Sequence, residues 1–101
     1  MSFRDFVAEH RRFYLLQLLR ELGGSASDGV LHQGIRQGFR PIQGVTRDVT
    51  RKDAEWLRER HLVAFDWLAD DLLVVELTER GGYVVSGDVQ VEGVSRAGRG
   101  G

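Results

Sequence analysis

Between Val45 and Gly87 the chain changes periodicity twice, and this constrains its fold more than any other feature. The stretch VTRDVTRKDAEWLRERHL sets apolar residues at helical steps among charges. Residues 63–67, VAFDW, then alternate, with Val63, Phe65 and Trp67 on one side, as a strand with one buried face does. Leu68–Asp71 has the composition of a turn, and Leu72–Leu77 reads as a second strand. Thr78 and Glu79 then open a short helix running to Val85. A helix, a hairpin and a helix joined this closely specify an α+β fold.

A chain of 101 residues holds one domain. It has no cysteine, which excludes disulfides, thiolate metal sites and cysteine nucleophiles and suits a reducing, cytoplasmic compartment. No apolar run approaches the roughly 20 residues that span a bilayer. The opening MSFRDFVAEHRRFYLL mixes acids with bases and lacks a small-residue cleavage site, so a signal peptide is not expected.

Upstream, Phe3–Leu22 has helical spacing along Phe3, Phe6, Val7, His10, Tyr14, Leu18 and Leu22. Ser2 and Asp5 form a capping-box pattern at its start, and Gly23-Gly24 ends it. Phe13, Leu15, Leu16 and Leu19 widen the apolar arc beyond one stripe. Such a helix is either enclosed by core or shared with a partner. Enclosure is hard in a small domain, so the expectation is a homodimer through Phe3, Phe6, His10, Phe13 and Leu16.

Ser25–Asp28 is a cap signal for a second helix, which buries Leu31 and Ile35 and closes at Gly38. A connector containing Pro41 follows. Thr46 or Thr50 caps the third helix, which runs to about Arg60. Val45, Val49, Trp56 and Leu57 are expected inward, and Arg47, Thr50, Arg51, Ala54 and Arg58 outward. Trp56 and Trp67 read as core. Asp88–Val94 is expected as an edge strand. Ser95–Gly101 has nothing to bury and reads as a disordered tail after a domain of residues 1–94.

Charge separates along the middle of the chain. Residues 36–52 hold five bases and one acid, whereas residues 53–79 hold eight acids and two bases. A helix entering the major groove needs short polar and basic side chains on one face. Thr46, Arg47, Thr50 and Arg51 supply them, with Arg36, Arg40 and Lys52 placed to reach phosphates. On this reading, replacing Arg47 and Arg51 by alanine weakens DNA binding without unfolding the domain. The competing reading is a solvated face with pairs such as Asp48–Lys52 or Glu55–Arg58.

Other chemistry finds no support. His10, His32 and His61 have no metal-ligand spacing. Asp70-Asp71 is explained by a turn, and Ser25 and Ser27 by helix capping. The glycine pairs lack the strand–loop–helix context of phosphate cradles. Neither an enzyme, a cofactor nor a metal site is expected.

The segments TRDVTRKDAEWLRERHLV, AFDWLADDLLVVEL and LTERGGYVVSG together resemble winged helix-turn-helix regulators of the ArsR and MarR type. Within that class the chain is similar to small winged-helix proteins of Mu-like phages and prophages. The resemblance covers about residues 3–94. It implies a three-helix core, a β-hairpin wing at Leu68–Leu72 and a short C-terminal helix. It also implies a recognition face of Thr46, Arg47, Thr50 and Arg51 on double-stranded DNA, in transcription regulation. The cysteine sensor motif of many ArsR regulators is absent. Asp70 and Asp71 depart from the DNA-binding pattern, because a wing that touches phosphate presents bases. The alternative function is a non-enzymatic protein-interaction module of the same fold, in phage assembly or host interaction, using that acidic wing.

Overall fold

The computed structural model describes residues 2–39 and 45–96. Four helices and a three-stranded antiparallel sheet follow the order α1 (Phe3–Glu21), β1 (Ser25–Ser27), α2 (Asp28–Gly38), α3 (Arg47–Glu59), β2 (Val63–Ala69), β3 (Leu72–Leu77) and α4 (Glu79–Ser86). The architecture is α+β, and the β2–β3 hairpin is compatible with a wing. Among the described residues no helix is long and apolar enough to cross a membrane.

Each helix begins where a side-chain oxygen can satisfy its first free amides. Ser2, Ser27, Thr46 and Thr78 accept from the backbone N–H three residues on, at Asp5, Val30, Val49 and Gly81. Thr46, not Thr50, is therefore the cap of α3. Gly87, with φ +90°, ends α4 in the left-handed conformation that favours glycine.

The sheet has the order β1-β3-β2. Ser25–Ser27 pairs with Val74–Glu76, so the residues leading into the α2 cap form a strand that the sequence reading missed. The third strand is not at Asp88–Val94, where the described chain is turn and bend. β1 already occupies that edge of β3, and Gly93, at φ +93°, is far from strand conformation. Instead, this segment lies along α1. The Gly93 carbonyl accepts from Arg12, and the Ser95 N–H donates to the Glu9 carbonyl. Ser95, expected in the tail, is thus tied down, and the tail from residue 97 lies outside the described residues.

Leu15, Leu16 and Leu19 of α1, Leu31 and Ile35 of α2, Leu57 of α3, and Leu73 and Val75 of β3 are all fully buried. This corrects the expected use of Leu16. It is a core residue with no surface to offer a second copy. The broad apolar arc of α1 arises because α2, α3, α4 and the sheet all contact it. Two glycines make room for this. A Cβ on Gly34 would meet Leu18 at 2.6 Å, and one on Gly38 would meet the Tyr14 hydroxyl at 1.7 Å. The glycines that weaken α2 as a helix let α1 lie against it.

Candidate nucleic-acid interface

The structure turns α3 away from the orientation read from sequence. Its buried line is Thr50, Asp53, Ala54 and Leu57. Thr50 and Ala54 were expected outward, yet both are buried. The Thr50 hydroxyl donates to the Thr46 carbonyl, which satisfies it inside the helix. Thr50 therefore cannot meet a base edge. Thr46 is exposed, but its hydroxyl is engaged in the cap.

At 3.6 residues per turn, the stripe opposite the buried line is Asp48, Lys52, Glu55 and Glu59. All four are exposed, and three are acids. Lys52 lies 3.3 Å from Asp48, which is the i,i+4 pair anticipated by the solvated-face reading. The basic flank of α3 is Arg47, Arg51 and Arg58, and the hairpin runs beside it. Arg58 stacks 4.5 Å from the Phe65 ring centre, and Arg51 lies 5.5 Å from that of Trp67. Trp67 was expected in the core. It is about half exposed, in the part of β2 where the strand is no longer buried.

Two of these arginines are not free ends. The Asp28 carboxylate, at the first position of α2, has 1% of its side chain exposed. Arg47 donates to Oδ1 at 3.0 Å and Arg51 donates to Oδ2. Burial pushes the Asp28 carboxyl up. The hydrogen bonds and charges of the two guanidiniums outweigh this and hold it below the usual carboxylate range. The start of α2 also favours a negative charge there. Arg47 is held above its ordinary value, first by its hydrogen bond to Asp28 and more weakly by the charge of Asp71. The side chains of Arg47 and Arg51 remain 58% and 36% exposed, although the Arg51 Nε is buried without a hydrogen-bond partner.

Replacing Arg47 and Arg51 by alanine would strip a buried carboxylate of both partners. The expectation that this change spares the fold is therefore corrected. Nothing in the sequence marked the triad, because an aspartate after a serine cap reads as an ordinary first-turn acid. A second unanticipated cluster joins α1 to α3. Arg11 forms a two-point ion pair with Asp53. Arg12 and Arg60 both stack on Trp56, at 4.0 and 3.5 Å.

Of the other expected DNA contacts, Arg36 is exposed in the last turn of α2, and Arg40 lies outside the described residues. Phe3, Phe6 and His10 are exposed on α1, while Phe13 is half-buried against the core. The Phe6 and His10 rings lie 4.2 Å apart. These four positions stay open to a second copy; Leu16 does not.

The fold is that of a small α+β protein in which a helix with a basic flank runs beside a hairpin with an acidic end. Comparison with known proteins places it in a phage family. The chain belongs to the family of gp26, an uncharacterized protein of Escherichia phage Mu. It is 35% identical to gp26 over 92 residues, covering 91% of this chain and 92% of the Mu protein. An uncharacterized protein of Haemophilus influenzae is 28% identical over 82 residues, 79% of this chain and 76% of that protein. No family model matches the chain, and no solved structure matches it.

Proposed function

We propose that this phage protein is a winged helix-turn-helix that binds the backbone of double-stranded DNA through the arginine flank of α3, as a small transcription regulator. The strand order β1-β3-β2, with α2 and α3 preceding the hairpin, supports the fold assignment. The observation that carries the binding reading is the pair Arg47 and Arg51. Both are oriented by one buried carboxylate, and both side chains stay partly exposed. A pre-organised guanidinium loses less freedom on meeting a phosphate than a free side chain does.

Backbone contact fits this surface better than base reading, since Thr50 is buried and the outermost stripe of α3 is mainly acidic. A homodimer through Phe3, Phe6, His10 and Phe13 fits the same reading, because paired domains reach two half-sites.

The test is fluorescence anisotropy of a labelled random-sequence duplex, from about 20 to 300 mM salt. Wild-type protein should bind and weaken steeply with salt. Arg36→Glu, Lys52→Glu and Arg58→Glu together spare the Asp28 triad and should weaken binding at least about tenfold at low salt. No wild-type binding at the lowest salt, or full binding by the triple variant, refutes the proposal.

A further inference from the structure

The end of the hairpin does not share the chemistry of the arginine flank. Trp67, Leu68 and Leu72 are 49%, 62% and 41% exposed, three large apolar side chains within six residues. Their exposure follows from the strand geometry. Trp67 pairs with Leu73 and Ala69 with Leu72, leaving Leu68 as an extra residue in the ladder. A bulge of this kind redirects a side chain at a sheet margin. Trp67 pairs with the buried Leu73 and lies on the same side of the sheet, yet is about half exposed.

Charge on the hairpin end itself has one sign, and the arginine flank borders it: Arg51 lies 5.5 Å from the Trp67 ring centre, and the charge of Asp71 acts on Arg47. Between His61 and Arg80 the chain has no lysine or arginine, while Asp66, Asp70 and Asp71 lie beside the apolar residues in sequence. Asp66, Asp70 and Asp71 are all exposed. Phosphate would be repelled here, and a purely apolar partner would leave the carboxylates facing it unpaired.

We infer that the hairpin end, Asp66–Leu72, is a docking site for a segment of a partner protein that carries lysine or arginine beside apolar side chains. An exposed tryptophan flanked by leucines supplies the anchor that dominates such interfaces. The carboxylates supply attraction and orientation. This surface adjoins the arginine flank at Trp67 and Arg51, but its contacts are carboxylates and apolar side chains, so duplex binding and peptide binding are read by different probes.

The probe is a fluorescein-labelled peptide of alternating lysine and leucine, titrated with the full chain, beside oligolysine of equal charge. Wild-type protein should bind the lysine–leucine peptide at least about tenfold more tightly than oligolysine, because the leucines bury apolar surface. Asp70→Lys with Asp71→Lys should reduce peptide binding at least about tenfold. Leu68→Ser with Leu72→Ser should remove the preference for the leucine-containing peptide. All four side chains are exposed, so both variants should unfold in urea as the wild type does. Equal binding of the two peptides by wild type, no binding of either, or unchanged binding by the variants overturns the inference. Loss of duplex binding on changing Leu68 and Leu72 would overturn it too, by making the hairpin end a nucleic-acid contact.

Discussion

Replacing Arg47 and Arg51 together by methionine tests the organisation of the α2–α3 junction most directly. Methionine keeps much of the aliphatic stem and its packing, so the change isolates the guanidiniums. A hydrogen bond to a charged group contributes about 1.5–3 kcal/mol, and a buried charge stripped of its partner costs about 3–5 kcal/mol. Both arginines are partly exposed, so solvent already screens the triad and water reaches it when they are lost. The expected loss is about 2–4 kcal/mol at pH 7, against about 0.5 kcal/mol or less for two ordinary surface charges. With a urea slope of about 1–2 kcal/mol per M, the unfolding midpoint should fall by at least about 1 M.

The pH dependence follows from Asp28. Its folded pKa lies below the ordinary value of 3.8, so its stabilisation is complete above that value and is lost as pH falls through the folded one. Without the arginines, burial raises the carboxyl, opposed only by the weaker pull of the α2 N-terminus. The variant therefore recovers stability as Asp28 protonates. The gap between the two proteins should be widest near neutrality and narrow in acid. A deficit below about 0.5 kcal/mol at pH 7, or a gap that widens in acid, would refute the buried-triad reasoning.

The remaining tests probe packing and assembly. Gly81→Ala should cost more than Gly38→Ala in thermal melts. Its Cβ would lie 2.1 Å from the backbone oxygen of Leu62, whereas the contact at Gly38 is the movable end of Tyr14. Gly82→Ala meets nothing within 4 Å and should instead stabilise α4 by about 0.5–1 kcal/mol. Leu16→Ala should cost about 2–5 kcal/mol in urea, by the same amount at every protein concentration, as a core residue does. Phe6→Ser should leave stability unchanged but lower the sedimenting mass if α1 pairs two copies; an unchanged mass would remove that face from the dimer proposal.

Local chemistry carried much of the fold. The caps at Ser2 and Thr78 were legible, and Ser27 and Thr46 stood among the candidates for theirs, because capping needs only a side-chain oxygen three residues before an amide. The β2–β3 hairpin was legible because alternation and turn residues are themselves local signals. β1 was not, since three residues of Ser-Ala-Ser show no pattern until β3 lies beside them. The wide apolar arc of α1 was plain in the sequence, but whether core or partner covered it was not.

The candidate site divides in the same way. By itself the sequence determined the charge order, basic over 36–52 and acidic over 53–79, and the acidic end of the hairpin. Only the tertiary structure decided which face of α3 is buried, because Thr50, Ala54 and Leu57 share a face with Asp53 as readily as Val49 does with Trp56. It alone placed Asp28 between Arg47 and Arg51, 19 and 23 residues away, and left Trp67 about half exposed. Such pairings depend on how the helices pack, and helical periodicity specifies the faces of a helix but not which neighbour each will meet.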